Sequence, residues 1–229
     1  MTTTEPSTLD PSLLKLKPVF NPSNPSAPES PAVTALIQQL SLQPHPEGGY
    51  FTETDRDPLR IPNPLTPQTP TNPSSPSTAQ TRSASTSIFY LLTPSRPQGH
   101  FHTNAARTVH TLHKGRGRYV ILHPAETQQD GKVRVESFVV GQDVSKGERL
   151  QWVVEGGRWK GTFLLEDQDG EEGNSREGLL ISETVVPGFE YVDHMFLSAE
   201  GLGELVGEEL AGELEWLVRR GEKGDGEGS

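Results

Sequence analysis

Between residues 49 and 197 the chain breaks into short segments suited to β-strands, each closed by turn residues, and this pattern constrains the fold more than any other feature. The candidate strands are 49–54, 85–92, 99–102, 108–112, 118–122, 133–140, 151–154, 161–165, 179–185 and 190–197. Val133, Val135, Ser137 and Val139 alternate with other residues, the period of a sheet with one buried face. Gly115, Gly117, Asp130-Gly131, Gly147 and Gly156-Gly157 supply the turns. So many short strands at regular spacing predict an all-β sandwich or barrel.

Helices belong to the ends. Ser30 followed by Pro31 reads as an N-cap and first helical position, and Val33, Leu36, Ile37 and Leu40 recur at helical spacing, predicting a helix over 31–40. Residues 203–219 read as a possible C-terminal helix through Leu205, Leu210, Leu214 and Leu217, weakened by three glycines. The remainder is dilute. Only 31% of the 229 residues are hydrophobic, with 20 prolines. Proline, serine and threonine crowd residues 1–29 and 57–84, and glycine and charge fill 221–229, so these three stretches are expected to lack order. The expectation is one domain over 30–220, its barrel at about 45–198.

The chain has no cysteine, which excludes disulfides, thiolate nucleophiles and thiolate metal ligands. A net charge of −11 disfavours nucleic acid and anionic membranes as partners. No apolar run approaches the ~20 residues of a membrane-spanning helix. A soluble, cytoplasmic protein is expected.

Chemistry concentrates in Gly99-His100-Phe101-His102, followed by Arg107-Thr108-Val109-His110. His100 and His102 are two apart and share a strand face. A turn at 104–106 would bring His110 to the same side. Three converging imidazoles suit a transition metal, an anion, or proton transfer.

This run resembles the first cupin motif, with Gly115 as its closing glycine. Val154-Glu155-Gly156-Gly157-Arg158-Trp159-Lys160 resembles the second. More narrowly, His45-Pro46-Glu47-Gly48-Gly49-Tyr50-Phe51, Ser85-Thr86-Ser87-Ile88-Phe89-Tyr90-Leu91-Leu92, Gly157-Arg158-Trp159 and Val186-Pro187-Gly188-Phe189-Glu190-Tyr191 resemble the cupin_5 family, long catalogued as a domain of unknown function. The resemblance implies an RmlC-like jelly-roll barrel. It also implies metal ligands at two motif-one histidines, a motif-one glutamate and a motif-two histidine. His100 and His102 match, but Thr108 and Lys160 stand at the other two positions. A metal would therefore need His110 to join His100 and His102, and a metal-free anion or general-base site is the preferred expectation.

The functional expectation is an isomerase or epimerase acting on a small polar or sugar-like carbonyl compound. His102 or His110 would be the base and Tyr90 or Tyr50 the acid, with Arg107 or Lys160 holding an anionic group. Glu47, Tyr50 and Glu53 are candidates for the cavity mouth. Glycines 48 and 49 read as a turn into the first strand. The alternatives are a non-catalytic small-molecule binding cupin and, behind it, a metal-dependent cupin enzyme. Exposed sheet edges point to a homodimer.

Overall fold

The computed structural model describes residues 16–20, 29–65, 81–167 and 178–220. Most of 1–29, the centre of 57–84 and all of 221–229, the segments expected to lack order, lie outside them.

Among the described residues the first helix is α1 (Pro31–Gln39), capped by the Ser30 hydroxyl, which accepts from the Val33 amide. Thirteen strands follow among the described residues: β1 (Gln43–Pro44), β2 (Tyr50–Arg56), β3 (Arg60–Pro62), β4 (Thr81–Ser83), β5 (Thr86–Leu92), β6 (Gln98–Thr103), β7 (Arg107–Lys114), β8 (Gly117–Thr127), β9 (Val133–Val140), β10 (Gln151–Val154), β11 (Trp159–Leu164), β12 (Leu179–Val186) and β13 (Met195–Phe196). One sheet runs β1-β2-β5-β12-β7-β10 and the other β13-β6-β11-β8-β9, with antiparallel ladders throughout.

Strand alternation sorts the side chains. Tyr90, Leu92, Leu112, Trp152, Leu179 and Ile181 of the first sheet meet Tyr119, Ile121, Phe138 and Leu164 of the second in one cluster between the sheets. Each sheet is also covered on its outer face. Leu91 and Leu180 pack under Val33 of α1. Phe101, Val120, Leu122, Val135 and Phe163 pack under Leu202, Val206, Leu210 and Leu214 of two C-terminal helices, α2 (Ala199–Val206) and α3 (Glu208–Leu214). Each fully buried leucine contributes roughly 1.5–3 kcal/mol, so the acidic C-terminal segment is an amphipathic clamp on the barrel.

Four details depart from the sequence reading. The expected helix over 203–219 starts earlier and divides at Gly207, whose φ of 80° ends one helix and precedes the next. The expected strand at 190–197 is a 3-10 turn (Tyr191–Asp193) and a two-residue strand, because Asp193 is drawn aside to the Arg82 guanidinium. The ends of the 57–84 segment are paired, β3 with β4. Within the expected N-terminal tail, Leu16 and Phe20 are buried in the two main clusters, since both are large apolar groups within reach of partly covered core.

Candidate functional site

Strands β5, β6, β8, β11 and β12 place a polar pocket between the sheets. Tyr90, Tyr119, Lys160, Thr162 and Glu183 line its floor and walls, and Glu47 and His102 stand toward its mouth. The space around these side chains, counted out to its opening on solvent, is ≈190 Å³, and none of it is wide enough to seat a water molecule. A ligand therefore enters only when side chains part.

Two clusters of charge face this pocket. In the deeper one, Lys160 Nζ donates to Glu183 Oε2 at 2.6 Å and to His110 Nε2 at 3.0 Å. Their strands explain the meeting: His110 and Glu183 are cross-strand partners on β7 and β12, and Lys160 reaches across from the opposite sheet. His110 is stacked on Trp152, with ring centroids 5.1 Å apart. Burial works against the Glu183 carboxylate, but Lys160 and His110 outweigh it and hold the carboxyl well below the usual range. Burial, reinforced by Lys160, depresses His110.

The second cluster is built around Glu47, which precedes β2 in the loop containing Gly48 and Gly49. Both glycines have positive φ, 110° and 64°, as the turn reading anticipated. A Cβ on Gly48 would lie 1.9 Å from the Gln98 carbonyl oxygen, so the loop is pressed against β6. His194 Nε2 donates to Glu47 Oε1 at 2.8 Å, while His102 Nε2 stands 3.2 Å and His45 Nδ1 3.6 Å from Oε2. The His102 and His194 rings stack at 5.3 Å. His102 Nδ1 donates to the His100 carbonyl at 2.8 Å, which leaves Nε2 as the edge facing Glu47. Burial pulls His102 down to about 4, against the pull of Glu47, so the ring is neutral near pH 7. Glu47 falls to about 2: burial resists ionisation, and His102, His194, His45 and Lys160 overcome it.

Tyr90 completes the pocket. Its hydroxyl is buried without a hydrogen-bond partner among the described residues. It has room because position 99 is glycine, where a Cβ would sit 2.7 Å from the Tyr90 oxygen. Burial, with Glu47 and Glu183 nearby, pushes its pKa well above 10.

The sequence-derived candidates divide accordingly. Glu47, Tyr90, His102 and Lys160 meet at the pocket, and His110 supports Lys160 from behind. Four others do not reach it. Arg107 is exposed and paired with Glu155, because its β7 position alternates away from Thr108 and His110. Tyr50 packs on the outer cluster beneath α1, with Arg96 over its ring. His100 shares its strand face with His102, but its Nδ1 donates to the Glu47 carbonyl at 2.8 Å, so the trio His100, His102 and His110 never converges as a ligand set. Glu53 pairs with Arg56 at the surface. Glu183, Tyr119 and His194 were not anticipated. Glu183 had a signal, a charge interrupting the apolar face Leu179, Ile181 and Val185. Tyr119 had strand alternation alone, and His194 had none, since its segment is not a regular strand.

The comparison with known proteins follows from this architecture. The family model described as Cupin_5, Cupin superfamily (DUF985), matches residues 34–197. The chain belongs to the Cupin_5 family. It is 46% identical over 195 residues to the uncharacterized protein YML079W of Saccharomyces cerevisiae, covering 83% of this chain and 89% of that protein. A hypothetical protein from Leishmania major superimposes with a TM-score of 0.59 at 28% identity, covering 76% of this chain and 91% of that one. Protein SO0799 from Shewanella oneidensis gives 0.59 at 24% identity, covering 82% and 98%, which shows the shared fold. The two facing antiparallel sheets are thus the jelly roll of the cupins. In this Cupin_5 chain the charge of the buried Lys160 is met by Glu183.

Proposed function

We propose that the pocket binds a small polar compound bearing a carbonyl group and moves a proton on it, the chemistry of an isomerase or epimerase. The observation that carries this reading is the buried Lys160–His110–Glu183 group facing the same cavity as the unpartnered Tyr90 hydroxyl. The Glu183 carboxylate, which lines the cavity, takes a proton from the carbon beside the carbonyl. The Lys160 ammonium and the Tyr90 O–H donate hydrogen bonds to the oxygen as charge develops there. Return of the proton from Glu183 regenerates the starting state. Glu47 and His194 come from loops at the mouth, where they bound the approach to the pocket.

The test is exchange in D₂O. The protein is incubated with a panel of small hydroxy-carbonyl compounds and sugar derivatives, and loss of the proton signal next to the carbonyl is followed by NMR. Exchange by the unmodified chain, abolished in Lys160→Met and Tyr90→Phe with the fold retained, is the expected result. Undiminished exchange in both variants, or none with any compound, removes the reading.

The narrow gaps favour a second reading, a pocket that binds without turnover. Saturable ligand shifts without exchange in the same spectra would establish it. We also propose a homodimer, since β9 and β10 each pair on one side only within the named sheets. Light scattering that finds only monomer at micromolar concentration would overturn it.

A further inference from the structure

We infer that Glu47, His102 and His194 form a binding site for a first-row divalent metal ion, displaced from the ligand positions that the cupin motifs imply. One carboxylate oxygen and the two imidazole nitrogens lie within 4.8 Å of one another, close enough to converge on a single ion, which takes the place of the proton that His194 Nε2 otherwise shares with Glu47, the ring keeping its other proton on Nδ1. The donor set of two imidazoles and a carboxylate suits zinc, iron or cobalt rather than calcium or magnesium.

His102 supplies the second, independent observation. Its side chain is 5% exposed, and Nε2 has no hydrogen-bond partner among the described residues. With Nδ1–H committed to the His100 carbonyl, Nε2 carries a lone pair aimed at a carboxylate oxygen 3.2 Å away. Two lone pairs facing each other in a buried site cost free energy unless a cation lies between them. An Nδ1–H bond to a backbone carbonyl is also how a metal-ligating imidazole is ordinarily held.

The frame around the three ligands is fixed. The His100 amide and Nδ1 both donate to the Glu47 carbonyl, at 2.7 and 2.8 Å. Asp193, next to His194, is clamped by Arg82, whose guanidinium also donates to the Gly188 carbonyl at 3.2 Å. The Lys160 ammonium nearby is neutralised by Glu183, which limits its repulsion of an ion at the mouth. The first-motif histidine His100 and the second-motif position Lys160 thus serve this site as supports rather than ligands.

The site stands independently of the isomerase reading, because metal binding is measured without substrate. Full-length protein is stripped with a chelator, exchanged into metal-free buffer, and titrated with Co²⁺ while the visible ligand-field bands are recorded, followed by displacement with Zn²⁺. One Co²⁺ per chain is expected. Glu47→Gln and His194→Ala should each weaken binding by about tenfold or more, and replacement of the exposed His113, His113→Ala, should leave it unchanged. His194 lies on a half-buried loop, so its truncation serves if Glu47→Gln fails to fold, with circular dichroism checking each variant. Absence of saturable Co²⁺ binding by the unmodified chain, or binding retained in both Glu47→Gln and His194→Ala, overturns the assignment.

Discussion

His100 holds Glu47 by its backbone: the amide and the imidazole Nδ1 of one residue both donate to the carbonyl oxygen of the other. The mouth of the barrel is therefore fastened to β6 by the histidine that the cupin motif would suggest as a ligand. Replacing His100 by Ala removes one of these two bonds and leaves the amide. A loss of about 1 kcal/mol in urea-induced unfolding is expected. Co²⁺ affinity should fall less than in His194→Ala.

The Lys160–Glu183 pair predicts a strongly non-additive pair of substitutions. Lys160→Met leaves a buried carboxylate without its cation and should cost about 3–5 kcal/mol at neutral pH. Adding Glu183→Leu removes the stranded charge, so the double variant should be more stable than the single one. Chemical denaturation of both proteins decides it, and equal or additive losses would show the pair to be unimportant.

Acid stability should depend on Glu136. The His123 ring, with Nε2 3.2 Å from the carboxylate, leads the causes that bring its pKa down to about 2, with Arg149 at 3.0 Å adding to it against partial burial. A carboxyl depressed in the folded state stabilises it above its ordinary pKa of 4.5, and the benefit drains away as pH falls towards 2. The group is partly solvated, so the contribution is set at about 1 kcal/mol after screening. Glu136→Gln should be less stable than the unmodified chain at pH 7, and the two should converge by about pH 2 in thermal melts.

Gly48 is expected to tolerate no side chain. At a φ of 110°, with a Cβ pressed to 1.9 Å from the Gln98 oxygen, Gly48→Ala must move the loop that presents Glu47. A loss of about 2 kcal/mol or more is expected, together with weakened Co²⁺ binding. Calorimetry and the cobalt titration read the two effects separately.

The barrel was legible in the sequence because period-two alternation is a local signal. The bounds of Val133–Val140 and Gln151–Val154 fall where the pattern places them. The single buried face expected at Val133, Val135, Ser137 and Val139 does not hold: Val133 and Val135 pack under the C-terminal helices, and Phe138 and Val140 pack between the sheets. The same alternation put His102, His110 and Tyr90 between the sheets. It could not reveal which of the inward groups touch, since that depends on strand order across the two sheets. His110 and Lys160, fifty residues apart, meet only because β7 and β11 face each other across the core. His194 was harder still. Its position is set by a buried ion pair between residues separated by 111 places, and no periodicity encodes such a contact.

The short ladder of β3 and β4 separates the length of the proline-rich insertion from the geometry of the pocket. Arg60 pairs with Ser83 and Pro62 with Thr81, closing the loop at its base, while Arg82 between them anchors the segment that ends in His194. The two ends of the span between Pro62 and Thr81 therefore leave the domain side by side, whatever its length. That base makes the insertion a natural port for a fused peptide or a fluorescent reporter, with the imidazoles at the mouth kept in register.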